Sequence, residues 1–200
     1  MPREGRVLDL ACGDGALLDQ LPGAIGIDLT HAELRRAHGR VACARAEALP
    51  FAAGAFDAVA CHLAFMLFPD PEAVVRELAR VLVPGGTFLA LLGGGPTADG
   101  DDAFHRFLAL LPPRHIPVLG DPRARSEAGW RGLFAGWSVA PFERWTLDLG
   151  GTFDQVWTFL GASYEARPEL REALRTATIA WGERIPCTAV AYVARAIPRP

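Results

Sequence analysis

The sequence predicts an α/β fold: a three-layer α/β/α sandwich around a seven-stranded, mostly parallel sheet whose last strand is antiparallel. Three observations predict it. Short apolar runs alternate with helix-patterned segments through the first half of the chain. The first run, Val7-Leu8-Asp9-Leu10, opens into a glycine-rich turn, Ala11-Cys12-Gly13-Asp14-Gly15. The second, Gly26-Ile27-Asp28, ends on an acid. In an open sheet of parallel strands, such a turn and such an acid meet at the carboxyl edge, where ligands bind.

The elements follow in order. Residues 6–11 read as the first strand, and 15–21 as a short helix stopped by Pro22. Residues 24–28 are the second strand. Thr30 with Glu33 three positions on is a capping-box pattern opening a helix that Gly39 ends. Strands are predicted over 41–45 and 56–63. Asp70-Pro71-Glu72 opens the clearest helix, with an N-cap, a proline at the first position and an acid in the first turn. Val74, Val75, Leu78, Val81 and Leu82 give it an apolar stripe, and Pro84-Gly85-Gly86 cuts it off before a strand over 87–92. Beyond Gly93 come a loop, a helix over 103–111, and an irregular proline-bearing excursion over 112–129. Residues 138–149 alternate as a strand. Thr152 with Gln155 is a second capping box, opening a helix to about Leu160, and a further helix spans 168–182. Residues 188–195 form the last strand. The whole reads as one domain over 1–200, with a cofactor-binding half at 6–92 and a substrate-side half at 93–200.

Composition excludes several chemistries. The chain has 200 residues, half of them apolar, and a net charge of −3 with no basic run, so nothing draws it to nucleic acid. There is no lysine, which removes Schiff-base and pyridoxal-phosphate chemistry and the phosphate-binding lysine of a P-loop. Cys12, Cys43, Cys61 and Cys187 show no metal-ligand spacing, so a reduced, metal-free, cytoplasmic protein is expected. The first residues lead straight into a strand without a signal-peptide pattern, and no apolar run is long enough to span a bilayer.

The acids decide what the turn can hold. Asp9, Asp14 and Asp28 cluster at the expected ligand position. Asp9 and Asp14 would repel the pyrophosphate of a nicotinamide or flavin dinucleotide. A third glycine of that fingerprint is also missing, since Leu18 stands in its place. S-adenosylmethionine carries a sulfonium and an ammonium and no phosphate, so the same acids attract it.

Four segments agree in order and spacing with one known family: VLDLACGDG at 7–15, GIDL at 26–29, AEALPF at 46–51, and FDAVACHLAFMLFPDPEAVVRELARVLVPGG at 56–86. Through them the chain resembles the class I, Rossmann-like S-adenosylmethionine-dependent methyltransferases. The likeness is to their small-molecule branch, which includes menaquinone/ubiquinone-biosynthesis and carrier-protein-ester methyltransferases. The resemblance implies S-adenosylmethionine as cofactor, S-adenosylhomocysteine as product, and methyl transfer to an oxygen, nitrogen or carbon of a small molecule. It implies cofactor contacts at Asp9, Leu10, Ala11, Gly13 and Gly15 of the first turn, with Asp9 near the methionine amino group. Asp28 would take both ribose hydroxyls and Leu29 would pack on the adenine. Ala46 and Glu47 lie where the family reads the adenine edge. Arg45 stands where an acid is common, leaving adenine recognition to Glu47 or to backbone. Ala11 replaces a common glycine. Cys61 either lines the cofactor or is simply a small buried residue.

On the acceptor side, His62 ends the fourth strand beside the expected methyl group and is the candidate catalytic or substrate-orienting residue; the alternative is packing. His105 and His115 are candidate substrate contacts, while His31 and His38 lie on a remote helix face. The five tryptophans all fall in the second half, and Trp137 and Trp145 flank a strand expected to be buried. Family members often close the cleft with a segment before the first strand. Here that closure falls to residues 94–136, to a second subunit, or to nothing. One alternative from another class stays open: a cofactor-binding protein that no longer methylates, acting as a partner subunit or a non-methylating enzyme.

Overall fold

The computed structural model describes residues 5–112, 120–164 and 166–199. Its sheet has eight strands: β1 (Val7–Leu10), β2 (Ile25–Asp28), β3 (Arg40–Cys43), β4 (Phe56–His62), β5 (Leu82–Pro96), β6 (Trp137–Val139), β7 (Glu143–Asp148) and β8 (Thr188–Pro198). The order is β3-β2-β1-β4-β5-β8-β6, with β7 also paired to β8. The β1–β2, β1–β4, β2–β3 and β4–β5 pairs are parallel, and β6 runs antiparallel to β8. Asp9 stands level with Gly26 on one side and Ala60 on the other. One step on in each strand brings Leu10, Ile27 and Cys61 into line, so the turn after β1 is flanked by Asp28 and His62.

The expected strand over 138–149 is divided into β6 and β7. Pro141 lies between them; it has no N–H to give a neighbouring strand, so the ladder breaks there. The count therefore becomes eight rather than seven. Strand β5 also begins earlier than expected. Phe56 pairs Leu82 and Ala58 already pairs Thr87, so Val83-Pro84-Gly85-Gly86 bulges out between two paired positions, with Gly85 at φ 77°.

The helices are α1 (His31–Leu34), α2 (Pro71–Val81), α3 (Ala103–Leu110), α4 (Glu127–Leu133), α5 (Phe153–Ser163) and α6 (Glu169–Thr178). Asp70 caps α2 by accepting from the Ala73 amide at 2.9 Å, and Val74, Val75, Leu78 and Val81 bury its apolar stripe as expected. The Thr152–Gln155 capping box forms in full. The Thr30–Glu33 box does not. Thr30 makes no side-chain cap, Glu33 pairs with Arg36 instead, and α1 has only four residues. The helix expected over 15–21 shrinks to a single 3-10 turn, Leu18–Gln20.

The excursion expected to be irregular contains a 3-10 turn, Pro122–Arg125, and helix α4. Asp121 caps the first and Ser126 caps the second, accepting from the Gly129 amide at 3.1 Å. Gly129 is required because a Cβ there would lie 2.2 Å from the Arg123 carbonyl oxygen.

The chain divides into two compact units. The first comprises Met1–Leu92, Leu119–Glu143 and Tyr192–Pro200; the second comprises Gly93–Val118 and Arg144–Ala191. The segment 94–136 is thus shared between them. The core of the first unit joins the sheet and α2 to Trp130 and Phe134 of α4 and its end, with Trp130 stacked on Phe88 at 5.7 Å. Each such fully buried aromatic is worth about 1.5–3 kcal/mol. The second unit is centred on Phe104, Phe107, Val156, Leu160 and Leu174. Trp145 departs from expectation. It is 52% exposed, because β7 presents nearly all its residues to solvent.

Candidate functional site

The first turn is built around backbone that side chains resist. Ala11, Gly13 and Gly15 all have positive φ, at 59°, 55° and 87°. Gly13 has open space where a Cβ would point, whereas at Gly15 it would lie 3.0 Å from the Ala37 Cβ. Gly26 in β2 is needed for a different reason: a Cβ there would meet the Cys12 Sγ at 2.7 Å and Leu18 at 2.8 Å. The turn therefore packs directly onto the neighbouring strand, and the Cys12 amide donates to the Ile27 carbonyl at 2.8 Å. Ala11 is the one residue here carrying a Cβ in the left-handed region, so the exchange of glycine for alanine falls on a strained position.

Asp28 ties three loops together. Its Oδ2 accepts from the Gly13 amide at 2.9 Å and its Oδ1 from the Thr30 amide at 2.7 Å. Its backbone carbonyl accepts from the Ala44 amide at 3.0 Å. The segments following β1, β2 and β3 are thus held by a single residue. Each carboxylate oxygen still has capacity for a second donor, so a vicinal diol can be received without breaking these bonds.

Asp9 is the exceptional group. It is fully buried, and no donor among the described residues reaches either of its side-chain oxygens. Burial, and secondarily the negative charge of Asp28, pushes its carboxyl from 3.8 up to about 6. Buried polar atoms are almost always paired, so a carboxylate left bare beside a glycine turn is suited to a cationic ligand. Asp14 is exposed and caps no helix, because none begins behind it.

The remaining expected residues fall at the same edge. Leu10 is buried at the end of β1. Leu29, just past Asp28, is 60% exposed, an unusual state for a large apolar side chain at the end of a buried strand. Cys61 is buried, which pushes its thiol up to about 12 and keeps it inert. His62 is exposed at the end of β4, and desolvation by the surrounding protein holds its pKa below the ordinary value, so the imidazole is neutral at pH 7. Leu63 follows it in the left-handed region, at φ 57°, and donates its amide to the Leu91 carbonyl at 2.9 Å. Ala46 is buried, and Glu47 is paired with Arg45 at 3.4 Å. The arginine standing where an acid is common therefore engages Glu47 itself.

His105 lies in the second unit and its ring is committed. Nδ1 faces the Asp102 carboxylate at 2.8 Å and Nε2 faces the Thr97 carbonyl at 2.8 Å, leaving neither ring nitrogen for a substrate. His115 lies outside the described residues. Reading the residues alone missed the strain at Ala11, the bridging amides on Asp28 and the pairing of Arg45 with Glu47. The alanine within a glycine motif was the visible sign of the first.

Comparison with known proteins agrees with this geometry. Residues 8–90 match the methyltransferase domain family. The demethylmenaquinone methyltransferase of Thermus thermophilus is 42% identical over 130 residues, covering 58% of each chain. YcgJ of Bacillus subtilis, described as an uncharacterized methyltransferase, is 30% identical over 163 residues, covering 73% of this chain and 62% of its own. The YcgJ crystal structure superposes with a TM-score of 0.65 at 25% identity, covering 99% of this chain and 93% of that one. The [4+2]-cyclase SpnF shares the fold, with a TM-score of 0.59 at 17% identity over 98% of this chain and 76% of that one. This chain spans about half the length of the curated relatives it matches, from 45% to 58% for two of them. Residues 8–90 carry a methyltransferase domain, and in sequence and fold the chain is similar to the class I, Rossmann-like S-adenosylmethionine-dependent methyltransferases. S-adenosylmethionine is the cofactor of that family, and the bare Asp9 carboxylate, the open side of Gly13 and the spare capacity of Asp28 fit it.

Proposed function

We propose that this protein binds S-adenosylmethionine at the carboxyl ends of β1 and β2 and transfers its methyl group to a small-molecule oxygen, nitrogen or carbon. The observation that carries the reading is Asp9, a buried carboxylate that no donor among the described residues reaches, at the mouth of a left-handed glycine turn. The ammonium of the cofactor's amino-acid end supplies the missing partner there. Asp28 takes the ribose hydroxyls, Gly13 and Gly15 keep the approach free of side chains, and Leu29 offers its exposed face to the adenine. Ala46 and Glu47 lie at the base edge.

When bound, the cofactor supplies an electrophilic methyl group on a sulfonium. The protein's contribution is mainly alignment, because bringing the nucleophile in line with the S–CH3 bond supplies much of the rate. His62 is the residue to orient the acceptor or to take its proton, since a neutral imidazole is competent as a base. A quinone precursor is the first acceptor to test, given what the Thermus thermophilus relative is named for.

The experiment has two arms. Calorimetry with S-adenosylhomocysteine and with NADH asks which ligand the turn accepts. Binding of the first alone is expected, and binding of neither by folded protein overturns the reading. Incubation with methyl-labelled cofactor and demethylated quinones then asks for transfer. Binding with no transfer to any acceptor class favours a protein that uses the cofactor without methylating.

A further inference from the structure

The segment that follows β3 carries Ala46 and Glu47, and it is gripped at both ends. At its start the Ala44 amide donates to the Asp28 carbonyl at 3.0 Å. At its far end α2 reaches across with two side chains one helical turn apart. Glu77 Oε2 accepts from the Leu49 amide at 2.6 Å. Arg80 donates from Nη2 to the Leu49 carbonyl at 2.9 Å and from Nη1 to the Phe51 carbonyl at 2.6 Å. The two side chains also bond each other, Arg80 Nε to Glu77 Oε1 at 2.8 Å and Nη2 to Oε2 at 2.7 Å. The Arg80 backbone carbonyl then accepts from the Gly54 amide at 3.0 Å.

This is more than an ordinary helix-surface ion pair. A pair three residues apart on a solvated helix stabilises it only slightly, and nothing about it requires loop carbonyls. Here the fork of one guanidinium is divided among a carboxylate and two backbone oxygens, a geometry that a lysine cannot reproduce. Only the stretch Arg45-Ala46-Glu47-Ala48 lies between the two grips; it is closed by the Ala48 amide donating to the Arg45 carbonyl at 3.2 Å, and the Arg45 side chain is mostly exposed.

We propose that Glu77 and Arg80 are positioning residues that preset the loop 44–51 for the base end of the cofactor. The inference rests on the proposed cofactor site. It gives a task to two side chains that touch no ligand themselves, and it makes adenine affinity depend on helix α2. A loop held in its binding pose before the ligand arrives loses less freedom on binding, which appears as affinity.

Calorimetry on the full chain with S-adenosylhomocysteine and with 5′-methylthioadenosine tests this, because the second ligand keeps the adenosine and lacks the amino acid. Measured well below the unfolding transition, Arg80→Met should weaken both ligands by the same factor, about tenfold. Arg80→Lys should recover only part of it. Asp9→Asn should weaken S-adenosylhomocysteine and spare methylthioadenosine. Where Arg80→Met does not fold, Glu77→Ala frees the Leu49 amide and carries the same comparison. Unchanged affinities in a variant with a lowered melting temperature would reduce the pair to a structural role. A loss confined to S-adenosylhomocysteine would also overturn the inference. Wild-type protein that binds neither ligand would instead remove the cofactor site, and this inference with it.

Discussion

Asp9 of the first unit and Asp102 of the second are both carboxylates out of solvent, at 0% and 6% exposure, yet the fold treats them in opposite ways. Asp102 is saturated. Its Oδ1 accepts from the amides of Phe104 and His105 at 3.0 and 3.2 Å and meets the His105 ring at 2.8 Å, while its Oδ2 accepts from the Thr188 amide at 2.6 Å. It caps α3 and fastens that helix to the start of β8. Asp9 has nothing. A satisfied buried acid stabilises the fold, whereas an unsatisfied one costs stability until a ligand arrives. The difference separates a structural carboxylate from a binding one without reference to any other protein.

The largest effect expected from breaking this contrast is at Asp102. Asp102→Ala removes four bonds and leaves the His105 ring and three amides without their acceptor, so it should destabilise the protein by about 3–5 kcal/mol. Urea unfolding measures it, and a loss below about 1 kcal/mol would mean that burial alone holds this corner. Next comes Asp28→Ala, which should weaken S-adenosylhomocysteine by about 2–3 kcal/mol, roughly thirty- to a hundredfold. Because two backbone amides also lean on Asp28, affinity must be read below the variant's own transition. An unchanged dissociation constant would place the ribose elsewhere.

A smaller change of opposite sign is expected at Ala11. Its φ of 59° is left-handed, so Ala11→Gly should stabilise the protein by about 1 kcal/mol, partly offset by the greater freedom of glycine in the unfolded chain. Denaturant midpoints decide, and a destabilised variant would show that the strain is compensated locally. The smallest effect is a pH dependence at His105. Both its ring nitrogens face acceptors, and the Asp102 carboxylate first of all raises its pKa above the ordinary 6.5. A raised histidine adds stability that is fully present below pH 6.5 and lost as pH rises through the folded value. Amide exchange over residues 97–100 should therefore quicken across that window in the wild type and show no such step in His105→Gln.

The cofactor edge was legible because its chemistry lies in contiguous residues. A strand, a glycine turn and an acid-ended second strand can be read off one line of sequence, as can Asp70-Pro71-Glu72 ahead of α2. What escaped was mostly set by tertiary contacts. Thr30 and Glu33 have the spacing of a capping box, but Arg36 competes for the glutamate and the short helix buries no residue of its own. Helix α4 hid behind the four prolines of 112–129, although Asp121-Pro122 and Ser126-Glu127 are start signals of the kind that marked α2. Pro141 was the local sign that one strand would become two. The sequence puts Asp9 beside the glycine turn, but only the folded chain shows that Asp102 is saturated while no donor among the described residues reaches Asp9.

The most direct test of that distinction is the pH dependence of stability in the wild type and in Asp9→Asn, each with and without S-adenosylhomocysteine. Asp9 holds its proton more tightly folded than unfolded, at about 6 against 3.8. Stability of the ligand-free wild type should therefore fall by up to about 3 kcal/mol as pH rises from about 4 to 7. Asp9→Asn should lack this component of the decline. S-adenosylhomocysteine should offset it in the wild type, by binding more tightly above pH 6 than below, and should bind the variant weakly at every pH. Identical pH profiles in the two proteins, or equal affinity of both for S-adenosylhomocysteine at pH 7, would contradict the claim that Asp9 is held bare for the cofactor.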